Sequence, residues 1–195
     1  MLGNLMGDFV RGPQAVAGDD AVSRGIRLHR HIDSFTDSHP VVRRSWQRLQ
    51  APYRRYGGIL VDVFYDHLLA RHWADFGPEP LASYTARAGR VLSGFHDRMP
   101  ARMQRYVLWM GSHDVLGACR EQAGVQRVLY GLSRRLRRPN PLARATGELT
   151  RLYPALEEDF LVFYPLLREQ VAGWAGLSPS QLGYWDPGIK SAGIR

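Results

Sequence analysis

Residues 59 to 73, with the sequence ILVDVFYDHLLARHW, form an apolar run that contains Asp62, Asp66 and His67. A helix turns by about 100° per residue, so it would place Asp62 and Asp66 one turn apart and about 40° apart around its axis. The other faces of this helix carry bulky apolar side chains, so we expect it to lie at the centre of the fold. Burying an ionised carboxylate is costly unless a partner or a metal compensates its charge. The run therefore predicts a polar site inside the protein.

The rest of the chain predicts an all-α fold. Apolar residues recur at spacings of three and four along most segments, whereas hairpin signals and sustained apolar–polar alternation are missing. The length of 195 residues and the hydrophobic content of 45% fit one core. We expect a single-domain helical bundle, HD-like, over residues 1–173 and a loosely ordered extension over 174–195. The expected helices cover 2–10, 20–36, 41–54, 58–75, 80–97, 101–112, 121–137 and 142–172, with a break near Pro154 or Pro165 left open.

Composition limits the location of the protein. No apolar stretch approaches the roughly 20 residues of a membrane span, and Asp8 lies where a signal peptide would have its apolar centre. Cys119 is the only cysteine, which excludes an internal disulfide and a cysteine-rich zinc site. We therefore expect a cytoplasmic protein without a membrane partner.

The formal net charge of +8 is carried by arginine, because Lys190 is the only lysine. Summed positive charge speeds the encounter with an acidic partner, although arginine-biased codon usage explains the composition equally well. The run RRLRRP that begins at Arg134 lacks interleaved aromatic residues, so we interpret it as a solvated helix end. Nucleic acid is therefore the less favoured partner.

A second helix, GIRLHRHIDSFTD at residues 25–37, carries another polar face. His29 and Asp33 are spaced i, i+4, as are Asp33 and Asp37, and Arg30 lies between them. Each of these residues alone has an ordinary interpretation, because a buried histidine is often a hydrogen-bonded core residue and an Arg–Asp pair is often structural.

The combination of the two helices favours a metal site. Histidine and carboxylate side chains on facing helices form the metal sites of helical bundles. Asp8, in the N-terminal segment GNLMGDF, adds a further acid. Oxygen and imidazole ligands without thiolate suit a divalent manganese, magnesium, iron or zinc ion, so the identity of the metal is open.

Four segments carry a family resemblance: GNLMGDFVRG (3–12), GIRLHRHIDSFTDSHPVVR (25–43), DVFYDHLLARHW (62–73) and LEEDFLVFYP (156–165). In this order they resemble the acyl carrier protein phosphodiesterases, an α-helical family related to the HD-domain metal phosphohydrolases. The resemblance implies a metal-dependent enzyme, with manganese favoured. Such an enzyme hydrolyses the phosphodiester that joins 4′-phosphopantetheine to a serine of holo acyl carrier protein.

The resemblance also implies roles for individual residues. The first segment supplies Asp8, the second supplies His29 and Asp33, and Asp66 with His67 forms the HD-like pair. We expect ligands from His29, Asp66 and His67, with Asp8 as a further ligand or the group that orients water. Asp33 and Asp62 would be ligands or would fix the imidazole tautomers. Arg30 would hold a phosphate oxygen.

One departure and two alternatives accompany this interpretation. Family members begin with an apolar, histidine-containing segment of the form MNFLAH ahead of the first motif, and we expect such a segment to strengthen metal binding and activity. The first alternative is an HD-type phosphohydrolase of nucleotides or other small phosphoesters. The second is a non-enzymatic basic helical module that binds nucleic acid.

Overall fold

The computed structural model describes residues 1–177, except for the side chain of His113. Within these residues the chain forms ten α-helices joined by turns and short 3-10 segments, and no strand. The expected all-α, single-domain bundle is therefore confirmed. The helices are α1 (Leu2–Met6), α2 (Ala21–Ser38), α3 (Pro40–Arg48), α4 (Gly57–Arg71), α5 (Trp73–Phe76), α6 (Leu81–Ser93), α7 (Ala101–His113), α8 (Val115–Cys119), α9 (Gln122–Arg135) and α10 (Thr146–Ala175).

Helix α4 is the central element, as its apolar faces predict. It packs against α3, α8, α9 and α10. Leu60, Val63, Phe64 and Leu68 are fully buried in the main hydrophobic core. Burial on every side holds α4 in one orientation, so the directions in which Asp62, Asp66 and His67 point are fixed by the core.

Helix α1 is attached to the bundle by two sets of contacts. It lies against α2. A second apolar cluster joins its Leu2 to Leu92, Met103 and Val107, which are buried side chains of α6 and α7. Helices of this length are unstable alone, so these contacts hold the segment that ends in Asp8.

Asp159 of α10 fastens that helix to α3. Its carboxylate is fully buried and accepts hydrogen bonds from Arg44 Nε at 2.8 Å, Ser45 Oγ at 2.7 Å and Arg48 Nε at 3.1 Å. Ser45 Oγ is also 2.8 Å from the hydroxyl of Tyr65 on α4. The acid of the LEEDF segment therefore has a structural role in the junction of three helices.

Several helix boundaries differ from those expected. Helix α1 ends at Met6, and α3 ends at Arg48 because Leu49 has an extended backbone. Helix α8 was not expected. Asp114, with φ of 38°, ends α7 in the left-handed region, and its carboxylate accepts a hydrogen bond from the Gly117 amide to start α8. Aspartate tolerates this conformation better than most residues.

The last helix is not broken at either proline, because α10 continues through both Pro154 and Pro165. Each proline removes one backbone hydrogen bond, yet both are exposed, while Leu156 and Phe160 on the same helix are buried in the core. The helix continues to Ala175, and residues 178–195 of the expected extension lie outside the described residues. No described helix is both long enough and apolar enough to cross a bilayer.

Candidate active site

His29 of α2 forms the centre of the candidate site. Its Nε2 atom is 3.4 Å from Asp8 Oδ1 and 3.2 Å from Asp33 Oδ2. The imidazole is buried, and both carboxylates are partly exposed. Asp33 follows His29 by one helical turn, as the sequence predicts. Asp8 lies in the turn that follows α1. The structure thus brings together three of the expected site residues around one nitrogen atom.

Gly7 allows Asp8 to reach His29. A Cβ atom at position 7 would lie 2.2 Å from His29 Cδ2, well inside any real contact distance. The absence of a side chain therefore lets the end of α1 lie directly on the imidazole ring. The glycine before the aspartate in GNLMGDF therefore permits the Asp8–His29 contact, which explains this part of the motif.

The two carboxylates determine the protonation of His29. Burial alone would lower the pKa of the imidazole, but the hydrogen bonds and charges of Asp33 and Asp8 raise this pKa to about 9. His29 is accordingly an imidazolium at neutral pH. The two carboxylates therefore stabilise a positive charge on this imidazole.

Asp66 lies against α7 and α9, and its charge acts on Tyr106 together with that of Asp8. It lines a small cavity of about 30 Å³ together with Tyr106, Trp109, Cys119 and Arg135. Burial raises the pKa of the Tyr106 hydroxyl, and the negative charges of Asp66 and Asp8 raise it further. Burial also raises the pKa of the Cys119 thiol to about 12, with Asp66 as a second cause. Tyr106 therefore remains protonated within the fields of two carboxylates.

Arg135, at the end of α9, supplies positive charge to this cavity. Its Cζ atom lies 6.0 Å from the ring centroid of Trp109, an arrangement typical of a cation–π contact. Its charge lowers the pKa of Tyr106, against the effect of the acids. The run RRLRRP does lie at the exposed end of α9, as expected, and Arg135 lines the small cavity as well. No local pattern reveals it, because α7 and α9 meet only through packing.

His67 contacts residues of α8 and α10. Its Nδ1 atom is 2.7 Å from the Cys119 carbonyl oxygen, so Nδ1–H is the donor, and its ring packs edge-on against Tyr153 of α10. Burial lowers the pKa of His67. Cys119, whose carbonyl oxygen His67 binds, also lines the cavity beside Asp66. Asp62 lies half-buried one turn before Asp66. The roles of His67 and Asp62 as metal ligands stay predictions.

Arg30 contributes to the loop that follows α1. Its Nη2 atom donates a hydrogen bond of 3.0 Å to the carbonyl oxygen of Gly12. Arg27 binds the same loop through the carbonyl oxygens of Val16 and Gly18. In this arrangement the two arginines fix the backbone beside the site, and contact of Arg30 with a phosphate oxygen stays a prediction.

The donor atoms at His29 fit a divalent ion, although they do not form a complete metal site. Among the described residues, no group of three or more His, Cys, Asp or Glu side chains is arranged to hold a metal. One imidazole nitrogen and two carboxylates nevertheless match the ligand types of manganese, magnesium, iron or zinc. The N···O distances of 3.2 and 3.4 Å at His29 are those of ion pairs between an imidazolium and two carboxylates.

Comparison with known proteins decides the family. Residues 1–167 match the family model described as acyl carrier protein phosphodiesterase. The chain belongs to this family. A relative from Salmonella dublin with that name is 36% identical over 171 residues, which cover 87% of this chain and 89% of the relative. Relatives of the same name from Salmonella agona (strain SL483) and Salmonella newport (strain SL254) are each 35% identical over the same shares.

Family membership indicates a phosphodiesterase and confirms the resemblance that the four sequence segments carry. No solved structure gives a significant match to the chain. The relation to HD-domain proteins therefore stays a prediction.

Proposed function

We propose that this protein is a divalent-metal-dependent phosphodiesterase that releases 4′-phosphopantetheine from a serine of holo acyl carrier protein. The observation that supports this most directly is the contact of Asp8 and Asp33 with the buried His29, in a chain that belongs to the acyl carrier protein phosphodiesterase family. Manganese is the favoured ion, and magnesium, iron and zinc are its alternatives.

His29, Asp8 and Asp33 are the residues that would hold the ion. Asp66 is a further acid that would serve as a ligand. His67 and Asp62 complete the set of ligands that the sequence predicts. When bound, a divalent ion neutralises the charge of the phosphodiester oxygens and makes a water molecule more acidic. The imidazolium of His29 must lose its Nε2 proton before that nitrogen can act as a ligand.

The hydrolysis needs groups that orient the water and the phosphate. The water oxygen forms a bond to phosphorus, the bond between phosphorus and the serine oxygen breaks, and a proton reaches the serine oxygen. Asp8 would accept a hydrogen bond from the attacking water. Tyr106, which keeps its proton at neutral pH because its pKa is raised, can donate to a phosphate oxygen.

Arg135 and Arg30 are candidates for charge at the phosphate. Arg135 already lines the cavity beside Asp66 and Tyr106, whereas Arg30 would have to exchange its hydrogen bond to Gly12. A guanidinium group can bind two phosphate oxygens at once. We therefore assign the phosphate contact to Arg135 first and to Arg30 second.

The partner in this proposal is the acidic holo carrier protein. The net charge of +8 favours its approach. Arg24 and Arg43 each donate to a backbone oxygen of this chain, and Arg44 binds Asp159. These bonds hold the guanidinium groups in place while leaving their charge at the surface.

The decisive experiment is incubation of the purified protein with holo carrier protein and manganese, followed by intact mass measurement of the carrier. We expect a mass decrease that matches loss of the phosphopantetheine group, abolished by a chelator and by Asp66→Ala. Parallel incubations contain a nucleotide or a small phosphodiester instead of the carrier. An unchanged carrier mass with manganese, magnesium, iron and zinc in turn would contradict the proposal, and cleavage of the small substrates alone would favour the HD-type phosphohydrolase.

A further inference from the structure

A cavity of about 570 Å³ lies between α1, α6, α7 and α8. Most of its wall consists of small or apolar residues, including Leu5, Gly89, Val107, Met110 and Leu116. Its volume falls within the range of about 300 to 1,000 Å³ that is typical of sites for small organic ligands. A cavity with this size and lining is suited to a flexible apolar group.

The cavity adjoins the candidate active site through three elements. Helix α1 contributes Asn4, which precedes Asp8 by four residues. Helix α7 contributes Val107, the neighbour of Tyr106. Val115 and Leu116 line both this cavity and the small cavity that contains Asp66. A long ligand with its phosphate near Asp8 and Asp66 can therefore extend past these two side chains.

We propose that this cavity binds the thiol end of the prosthetic arm together with an acyl chain attached to it. The inference rests on the proposed function, because it takes the phosphate of the arm to lie at His29 and Asp8. An acyl chain leaves water when it enters an apolar cavity, which favours binding. Polar groups of Asn4, Thr85 and Ser93 on the same wall offer partners for the amides of the arm.

Two glycines, Gly89 and Gly111, line the cavity and leave space where a side chain would lie. A Cβ atom added at Gly89 of α6 or at Gly111 of α7 meets no heavy atom within 4 Å. Both residues line the cavity, so we expect a leucine at either position to reduce its volume. Gly147 of α10 offers a matched control, since an added Cβ there also meets nothing and the residue does not line the cavity.

The test is calorimetric binding of dodecanoyl-pantetheine and of pantetheine to the full chain and to its Gly89→Leu and Gly147→Leu variants. We expect the acyl compound to bind at least about tenfold more tightly than pantetheine, with a negative heat-capacity change. Gly89→Leu should remove most of this advantage, and Gly147→Leu should keep it. Gly111→Leu serves as the second cavity variant if Gly89→Leu does not fold.

Equal affinity for the two compounds would overturn the inference, as would equal effects of the cavity variants and the control. These binding results do not depend on turnover, so they separate the two proposals. Tight acyl binding without hydrolysis of holo carrier protein would contradict the proposed function but not the assignment of the cavity. Hydrolysis of holo carrier protein with no preference for the acyl compound would contradict only the assignment of the cavity.

Discussion

Single residues of the site differ in how far the sequence predicts them. The spacing of His29 and Asp33 on one helix is enough to place them together, and Asp8 was expected from the family motif. Tyr106 and Arg135 carry no local signal, because their position beside Asp66 depends on how α7 and α9 pack. The sequence also joins Asp66 and His67 in one site, and this pairing stays a prediction, with His67 Nδ1 bonded to the Cys119 carbonyl oxygen.

The most direct test of a single residue is His29→Gln. The amide side chain keeps much of the shape but loses the basic nitrogen, so we expect affinity for manganese and turnover of holo carrier protein to fall by about 100-fold or more, above the loss typical of residues that only orient a ligand. Metal titration and intact mass measurement would show both effects. His72→Gln is the matched control, because His72 pairs with Glu157 away from His29. Unchanged metal affinity in His29→Gln would remove this residue from the metal site.

Asp66→Ala tests the acid of the central helix. Asp66 is only partly buried and lines a cavity, so removing its carboxylate leaves the core packing of α4 intact. We expect loss of metal binding and of turnover, with the midpoint of thermal unfolding shifted by no more than a few degrees. Stoichiometric metal and near-normal turnover in the variant would show that the assignment of Asp66 is wrong.

At the scale of helices, the long apolar elements were predictable and the short ones were not. The apolar composition of α4 is enough to predict this helix. The five residues of α1 form a helix only because α2, α6 and α7 hold them. The prolines of α10 mislead for a related reason, since burial of the neighbouring core residues outweighs the lost backbone hydrogen bonds. Tertiary packing decides these cases, and a local pattern does not contain it.

Gly7→Ala tests the contact between α1 and α2. The added methyl group would lie 2.2 Å from the ring of His29, so the end of α1 must move and carry Asp8 away. We expect turnover to fall by about tenfold or more, since a displacement of about 1 Å in a site can cost about 100-fold. Steady-state kinetics measure this loss. Gly147→Ala, where the methyl group meets nothing within 4 Å, should retain full activity. Equal activity of the two variants would show that Asp8 need not touch His29.

Asp159→Asn tests the junction between α3 and α10. Burial alone would raise the pKa of Asp159, but the hydrogen bonds from Arg48, Ser45 and Arg44 lower this pKa below its usual value. The carboxylate therefore stabilises the fold at pH values above about 4, its pKa in an unfolded chain, and this contribution is lost as the pH falls through the lower pKa of the folded state. We expect the variant to lose about 3 kcal/mol of unfolding free energy at neutral pH, near the low end for breaking a buried ion pair, because the arginines are partly exposed.

Urea unfolding between about pH 3 and pH 7 would measure this difference between the wild type and Asp159→Asn. The difference should shrink below about pH 4, because the protonated aspartic acid then resembles asparagine. Glu158→Gln is the control, since Glu158 is the exposed neighbour on the same helix. A difference that stays below about 1 kcal/mol at neutral pH, within the range of surface pairs, would exclude a stabilising role of the junction.

For the whole molecule, composition and periodicity are sufficient to predict the fold class and the single domain. The cavity between α1, α6, α7 and α8 was not predicted, because it forms only where α1 packs beside three consecutive helices that are distant from it in sequence. The positive charge is visible in the sequence, yet only the structure shows that Arg24, Arg43 and Arg44 are already bonded within the chain. Charge at this scale acts through its sum, so its consequence belongs to the encounter with a partner.

The net charge of +8 predicts that salt slows the encounter with an acidic carrier protein. At an ionic strength of 0.1 M, charges on a protein surface are screened beyond about 10 Å, so the long-range attraction that steers the partners disappears as salt is added. The ion pairs within the site are partly buried and are screened less. We therefore expect salt to lower kcat/KM through association, while kcat at saturating carrier protein changes much less.

Stopped-flow association and steady-state kinetics across a range of salt, with holo carrier protein as substrate, would measure the two effects separately. A small neutral arm such as pantetheine is the control ligand, because its binding has no net charge to screen and should vary little with salt. The slope for the carrier protein should be steep at low salt and flatten once the Debye length falls to a few ångströms. If association with the carrier is as insensitive to salt as pantetheine binding, the arginine content reflects codon usage, and docking must depend on short-range contacts instead.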